Sequence, residues 1–118
     1  MIPVLAGGLV VGALLPRVPK LFEKSETTGD YSLYLEGHRT QVVLYGTSAC
    51  SFCRMARSFL RERNVAFVDL DVQGSEQAAR EHARLGGEGV PLVLIGNRMI
   101  KGFHPDKYSD AILDLRRR

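Results

Sequence analysis

From residue 40 onward, short apolar runs alternate with segments in which apolar residues recur every three or four positions. The run 41–45 is nearly continuous and β-branched, which is typical of a strand buried on both faces. Residues 50–63 are predicted to form an amphipathic helix because they carry an apolar stripe at helical spacing, formed by Met55, Ala56, Phe59 and Leu60. Similar patterns predict strands over 65–71, 90–95 and 98–101, a helix over 75–85 and a last helix that begins near Pro105.

Turn and capping residues separate these segments. Asn64 can end the first helix, Ser75 can cap the second, and Gly96 with Asn97 forms a tight hairpin turn. The predicted order is therefore βαβαββα. Two parallel strands joined by a crossover helix, followed by an antiparallel hairpin, give an α/β fold with a four-stranded mixed sheet flanked by helices.

The first 20 residues have a different character. Ile2 to Leu15 carry no charged side chain, and the run ends at Pro16-Arg17-Val18-Pro19-Lys20. Fourteen helical residues span roughly 21 Å, less than a hydrocarbon core of about 30 Å. Three interpretations of this apolar N-terminal arm stay open: membrane association through residues 2–15, a secretory leader, or packing on the domain or on a second copy. If the arm inserts, Arg17 and Lys20 favour a cytoplasmic location for the rest of the chain.

Residues 21–39 are predicted to be a linker because they are rich in Ser, Thr, Gly and Glu. Within them, Tyr31, Leu33 and Leu35 alternate with other side chains, which indicates an extra strand. The regular pattern places the folded domain at residues 40–118. We therefore expect a chain that lacks residues 1–38 to fold and to keep its chemistry.

The composition fits one small domain with a modest core. The chain has 118 residues, of which 45% are hydrophobic and 25% are charged. Sixteen Lys and Arg against thirteen Asp and Glu give a net charge of +3, which is too small to indicate a nucleic-acid partner. A monomer is expected.

The candidate chemistry lies in Cys50 and Cys53, the only two cysteines. At the start of a helix the first sulfur faces unpaired N–H groups, which favour the thiolate, and the second lies one turn away. A zinc site would need two more ligands, and His38, His82 and His104 lack the required spacing. A structural disulfide would close only a four-residue loop and stabilise little. The pair therefore indicates redox catalysis without a metal, although inert or transiently metal-binding thiols stay open.

Four features together resemble the glutaredoxin branch of the thioredoxin fold, over about residues 40–118. They are the strand at 41–45, Cys50-Ser51-Phe52-Cys53 at a helix start, Gly89-Val90-Pro91 before a strand, and the Gly102-Phe103 turn. The resemblance implies that Cys50 is the nucleophile and Cys53 the resolving cysteine. It also implies a cis peptide bond before Pro91, with the backbone of Val90 offered to an extended substrate. The residues expected to contact substrate are Thr47, Phe52, Arg54, Val90, Pro91, Gly102 and Phe103.

The chain departs from the usual glutathione site of that family. Ser51-Phe52 replaces the common Pro-Tyr, Thr47 stands where many members carry a lysine, and Asp106 is the only acidic residue soon after the glycine turn. Each change removes a contact to glutathione, and Arg54 and Arg57 would replace the charge only if they are not simply solvated. Residues 102–105 read Gly-Phe-His-Pro, which is similar to the Gly-Phe-x-Pro of glutaredoxin-like redoxins that serve ribonucleotide reductase. Those redoxins are generally reduced by thioredoxin reductase.

The sequence thus predicts a glutaredoxin-like dithiol–disulfide oxidoreductase. Its substrate would be a disulfide-containing protein or a glutathione mixed disulfide, with electrons from glutathione or thioredoxin reductase and no required cofactor. A cytoplasmic location is expected, with the redox domain facing the cytoplasm if the arm is an anchor. Two other classes stay open: a membrane-tethered module that holds an iron–sulfur cluster between two copies, and a non-catalytic adaptor.

Overall fold

A five-stranded mixed sheet with helices on both faces forms the core of the molecule, which the computed structural model describes from residue 25 to residue 117. The elements in chain order are β1 Glu26–Thr28, α1 Ser32–Gly37, β2 Val42–Gly46, α2 Ser51–Glu62, β3 Val68–Asp71, α3 Glu76–Arg84, β4 Leu92–Ile95, β5 Arg98–Lys101 and α4 Pro105–Arg117. The strand order is β1-β5-β4-β2-β3. Among these five strands, only β2 and β3 pair in parallel. From β2 onward, the predicted βαβαββα order is confirmed.

The two central strands are buried along their whole length, as their continuous apolar runs predict. Every residue of β2 and β4 is buried. One face of the sheet packs under α2 and α4 through a cluster that includes Val42, Leu44, Phe59, Leu60, Val93, Ile95, Tyr108 and Ile112. The other face carries a second cluster, which includes Leu35, Val43, Tyr45, Leu85, Leu92, Leu94 and Met99. This packing fixes α2 and α4 on the sheet, and the two cysteines lie at the start of α2.

Local signals set the ends of the helices. Ser75 is extended and its hydroxyl accepts a hydrogen bond from the N–H of Ala78 at 3.2 Å, which caps α3 as predicted. Asn64 takes the left-handed conformation with φ 58° just after α2, and Gly86 does so after α3 with φ 75°. The predicted end of helix α2 at Asn64 is confirmed.

The segment before β2 differs from its prediction. The expected strand at residues 31–35 is wrong, because Ser32–Gly37 form helix α1. Leu35 is buried and Tyr31, four residues earlier, packs against the same cluster, whereas Leu33 is 75% exposed. This spacing of four suits a helix, and the apparent alternation is a coincidence of a short apolar run. The sheet does gain an extra strand, but it is β1, in which Glu26 lies opposite Ile100 of β5.

Residues 25–39 are attached to the sheet by many contacts, so the predicted linker is wrong for this part of the chain. The N–H of Lys101 donates to the carbonyl of Ser25 at 2.7 Å, and that of Gly29 donates to Asn97 at 2.8 Å. Arg98 forms an ion pair with Glu26 at 3.1 Å. We therefore propose that the folded unit begins by residue 25 rather than at residue 40. The predicted apolar arm at residues 1–20 and the start of the linker lie outside the described residues.

A polar cluster also joins this segment to helix α3. The Glu81 carboxylate lies 2.8 Å from Nε2 of His38 and accepts a hydrogen bond from the Tyr45 hydroxyl at 2.6 Å. Partial burial acts to raise the pKa of Glu81, but the hydrogen bonds from Tyr45, His38 and Gln77 outweigh it and hold the pKa below its usual value.

Between residues 25 and 117, none of the helices has the length and apolar character needed to cross a bilayer.

Candidate active site

The two cysteines lie at the start of α2, with free thiols in different surroundings. Cys50 is the extended N-cap residue and is partly exposed, whereas Cys53 is fully buried in the first turn. The N–H of Cys53 donates to Sγ of Cys50 at 3.2 Å. The sequence spacing has therefore placed both sulfurs at one helix end, where backbone N–H groups have no partner within the helix.

The surroundings separate the acidities of the two thiols. Partial burial acts to raise the pKa of Cys50, but hydrogen bonds from the Cys53 thiol and from the N–H groups of Cys53 and Phe52 outweigh it, with help from Arg57, and the pKa lies below its ordinary value. Burial is the largest cause of the shift for Cys53, and the hydrogen bond that its thiol donates to Cys50 is the next largest. Together they raise the pKa of Cys53 to about 11. The exposed sulfur is thus the more acidic of the two.

A loop and a glycine turn face the cysteine pair. The Val90–Pro91 bond is cis, as the resemblance implies, and the carbonyl oxygen of Val90 lies 3.9 Å from Sγ of Cys50. The N–H of Gly102 donates to the carbonyl of Pro91 at 2.8 Å. Gly102 has φ 91°, which a glycine adopts readily, and its carbonyl accepts from the Tyr108 hydroxyl at 2.7 Å. The carbonyl of Val90 is therefore beside Cys50, and Gly102 is tied to the neighbouring Pro91.

The predicted aromatic contacts fall into two classes. Phe103 packs edge-on against Phe59 and Tyr108, with ring centroids 6.0 and 5.7 Å apart, and it is only partly exposed. Phe52 instead is 58% exposed at the rim of the site, and Met55 is exposed close by on α2. Phe52 is therefore the aromatic side chain more available to a substrate, while Phe103 mainly supports the turn.

The polar residues near the site differ in how far they are buried. Thr47 is buried, and Arg54 is exposed with Nη1 3.4 Å from the carbonyl of Ser48. Arg57 is not simply solvated, because its side chain is only 13% exposed and its Nε donates to Asp69 of β3 at 2.8 Å. A groove of about 420 Å³ runs beside these residues, lined by Ser48, Arg54, Arg57, Arg61, Asp69 and Asp71.

Three further residues shape the site without having been predicted to. A Cβ added to Gly46 would stand 2.9 Å from Sγ of Cys53, so only glycine leaves room for that sulfur. Tyr108, on the last helix, supports the glycine turn through its hydroxyl, which donates to the Gly102 carbonyl. His82, considered from the sequence only as a zinc ligand that lacks the required spacing, lies with Nε2 2.8 Å from the carbonyl of Gly89, just before the cis bond. In the sequence, the one signal for any of these three roles was Gly46, directly after the predicted strand at 41–45.

Comparison with known proteins assigns the family. The glutaredoxin family model matches residues 42–100, which span β2 to β5 and contain both cysteines and the cis-proline loop. The chain belongs to the glutaredoxin family. Thiol–disulfide oxidoreduction is the chemistry of this family. For this chain, membership of the family supports a glutaredoxin-like redox protein.

Individual glutaredoxin relatives agree with this assignment. A glutaredoxin-like 8.6 kDa protein from the rubredoxin operon of Clostridium pasteurianum is 30% identical over 72 residues, covering 60% of this chain and 96% of that protein. Glutaredoxin 1 of Rickettsia conorii is 30% identical over 77 residues, covering 63% and 70%. The crystal structure of a glutaredoxin from Archaeoglobus fulgidus superposes with a TM-score of 0.57 and 27% identity, covering 71% and 97%. The predicted thioredoxin-like fold is confirmed.

Proposed function

We propose that this protein is a glutaredoxin-like dithiol–disulfide oxidoreductase in which Cys50 attacks the substrate and Cys53 resolves the intermediate. The observation that carries the proposal is the asymmetry of the pair: a partly exposed, more acidic Cys50 next to a fully buried, less acidic Cys53. Nucleophilic attack on a disulfide requires a thiolate that the substrate can reach, and only Cys50 meets both conditions.

The reaction then follows in two balanced steps. The Cys50 thiolate attacks one sulfur of the target disulfide, so that a Cys50–target bond forms, the target S–S bond breaks, and the leaving thiolate takes a proton from solvent. Cys53 next gives up its proton and attacks Sγ of Cys50. The Cys50–Cys53 disulfide forms and the second target thiolate leaves. The target gains two electrons and the protein loses two, which an external dithiol or two molecules of glutathione must return.

The surroundings of Cys50 suit an extended disulfide substrate. The carbonyl of Val90 lies 3.9 Å from Sγ of Cys50 and can accept a backbone hydrogen bond from a bound segment. Phe52 adds an exposed apolar contact at the rim, and Arg54 adds a positive charge. We therefore propose a protein disulfide or a glutathione mixed disulfide as substrate, with no metal or organic cofactor. The cytoplasmic location and the monomeric state stay predictions.

The electron donor can be tested by running disulfide reduction in parallel with glutathione plus its reductase and with thioredoxin reductase. Because Thr47 replaces the usual lysine and Asp106 is the only nearby acidic residue of the glycine turn, we expect weak turnover with glutathione. Thr47→Lys should raise the glutathione-dependent kcat/KM about tenfold, which is the effect of one charge-assisted contact. Ser48→Lys is the matched control, since it adds the same charge at an exposed neighbour.

Strong glutathione turnover of the unmodified protein that Thr47→Lys leaves unchanged would overturn the expected donor preference. An equal gain in Ser48→Lys would show that added charge matters only at long range. Failure of both donors to support any disulfide reduction, with the protein folded, would overturn the proposed activity itself.

A further inference from the structure

Arg57 is a largely buried cation that reaches three parts of the fold at once. From the middle of α2, its Nε donates to Oδ2 of Asp69 in β3 at 2.8 Å, and its Nη2 donates to the carbonyl of Thr47 at 3.2 Å. The side chain is 13% exposed. Two directional bonds and this degree of burial fix the guanidinium in one place, unlike that of a surface arginine.

That place lies next to the resolving sulfur. A Cβ built on Gly46 would stand 2.9 Å from Sγ of Cys53 and 3.1 Å from Nη2 of Arg57, so the sulfur and the guanidinium flank the same small space. The other groups that face Cys53 are uncharged or belong to its partner: the N–H of Thr47, the phenol of Tyr108 and the thiol of Cys50. Arg57 is therefore the cation adjacent to Cys53 among the described residues.

We propose that Arg57 is a positioning residue for the second half of the reaction, in which it holds the loop around Cys53 and stabilises the Cys53 thiolate as it forms. This rests on the proposed function. While Cys50 is a thiolate, Cys53 keeps its proton because it donates a hydrogen bond to that sulfur. Once Cys50 is bonded to the target, that negative charge is gone, and the nearby guanidinium favours loss of the Cys53 proton. Burial, which opposes this loss, also makes the cation more effective than it would be in water.

The two halves of the reaction can be separated with dithiobis(nitrobenzoate), a small aromatic disulfide. Attack by Cys50 releases one coloured thionitrobenzoate at a rate that depends on reagent concentration. Attack by Cys53 then releases the second at a rate that does not, because this step is intramolecular. In Arg57→Gln we expect the second phase to slow roughly three- to tenfold, as for a pKa change of up to about one unit, and its pH dependence to move to higher pH.

Two variants make the comparison specific. Arg61→Gln removes the same charge from the same groove one turn further along α2, where the side chain is exposed, and should leave the second phase unchanged. Arg57→Lys keeps the charge but cannot make both bonds, and should restore part of the rate. Circular dichroism and thermal unfolding must show that each variant is folded.

A folded Arg57→Gln protein whose second phase has the rate and pH dependence of the unmodified protein would overturn the proposal. Equal slowing in Arg61→Gln would also overturn it, because a general charge effect would then suffice. If the unmodified protein releases no thionitrobenzoate, or never releases the second equivalent, the proposed dithiol function fails first. The two failures are therefore distinguishable.

Discussion

Cys50→Ser should abolish disulfide reduction, while Cys53→Ser should stop it after the first step. The Cys50 sulfur is the one that a substrate can reach, and it accepts hydrogen bonds that favour its thiolate, so its loss removes the nucleophile. Without the buried Cys53 sulfur, nothing in the site can attack the Cys50–target bond. Turnover should fall at least a thousandfold for Cys50→Ser, and a stable mixed disulfide should form with Cys53→Ser.

Mass spectrometry of each variant after incubation with a disulfide peptide gives the result directly. Cys53→Ser should gain the mass of one peptide thiol, bonded to Cys50, and Cys50→Ser should gain none. Ser58→Ala, an exposed change on the same helix, is the control and should cycle normally. A mixed disulfide at Cys53 in the Cys50→Ser protein would reverse the assigned roles.

Removal of residues 1–39 should cost about 3 kcal/mol or more of unfolding free energy, whereas removal of residues 1–24 should leave the described fold intact. The longer deletion takes away β1 and its pairing with β5, uncovers the cluster around Leu35, and leaves Glu81 without its His38 partner. This replaces the expectation from sequence that a chain without residues 1–38 folds unharmed. Urea unfolding of both truncated proteins measures the difference.

A pair of point variants makes the same test without deleting chain. Leu35→Ala should destabilise by about 2–3 kcal/mol, because Leu35 is 9% exposed within the core cluster. Leu33→Ala, two residues earlier in the same helix, should change stability by no more than about 0.5 kcal/mol, since that side chain is 75% exposed. Equal stabilities of these two variants, or of the two truncated proteins, would show that α1 is not part of the folded unit.

The central sheet was predictable because each of its strands carries its own signal. The apolar run of β2 and the Gly96-Asn97 turn before β5 need no knowledge of the rest of the chain. Helix α1 was not predictable in this way. It is six residues long, and Tyr31, Leu33 and Leu35 satisfy the alternation of a strand. Only Tyr31 and Leu35, which are four residues apart, pack against the core cluster, whereas Leu33 is exposed. Tyr31 and Leu35 join a core cluster that also contains Leu94 and Met99, far along the chain, and a local pattern cannot reveal that packing.

In the candidate site, too, the local features could be predicted from the sequence and those that depend on tertiary packing could not. Cys50 and Cys53 form a local motif whose chemistry follows from its place at a helix start. Arg57 lies four residues after Cys53, so a shared helix face could have been inferred. Its burial could not, because that depends on Asp69, twelve residues away in the parallel strand β3. The bond between His82 and the Gly89 carbonyl likewise requires the tertiary position of the loop.

The proposed mechanism depends on Cys50, and not Cys53, being the nucleophilic thiolate, and selective alkylation tests this directly. The reduced protein is treated with a limiting amount of iodoacetamide at mildly acidic pH, and the label is located by peptide mapping. We expect Cys50 to be alkylated selectively, because its pKa is below the ordinary value while burial and its hydrogen bond raise that of Cys53 to about 11. Cys53 should react only after unfolding. Equal labelling of the two sulfurs in the folded protein, or preference for Cys53, would contradict the proposed roles of the two cysteines.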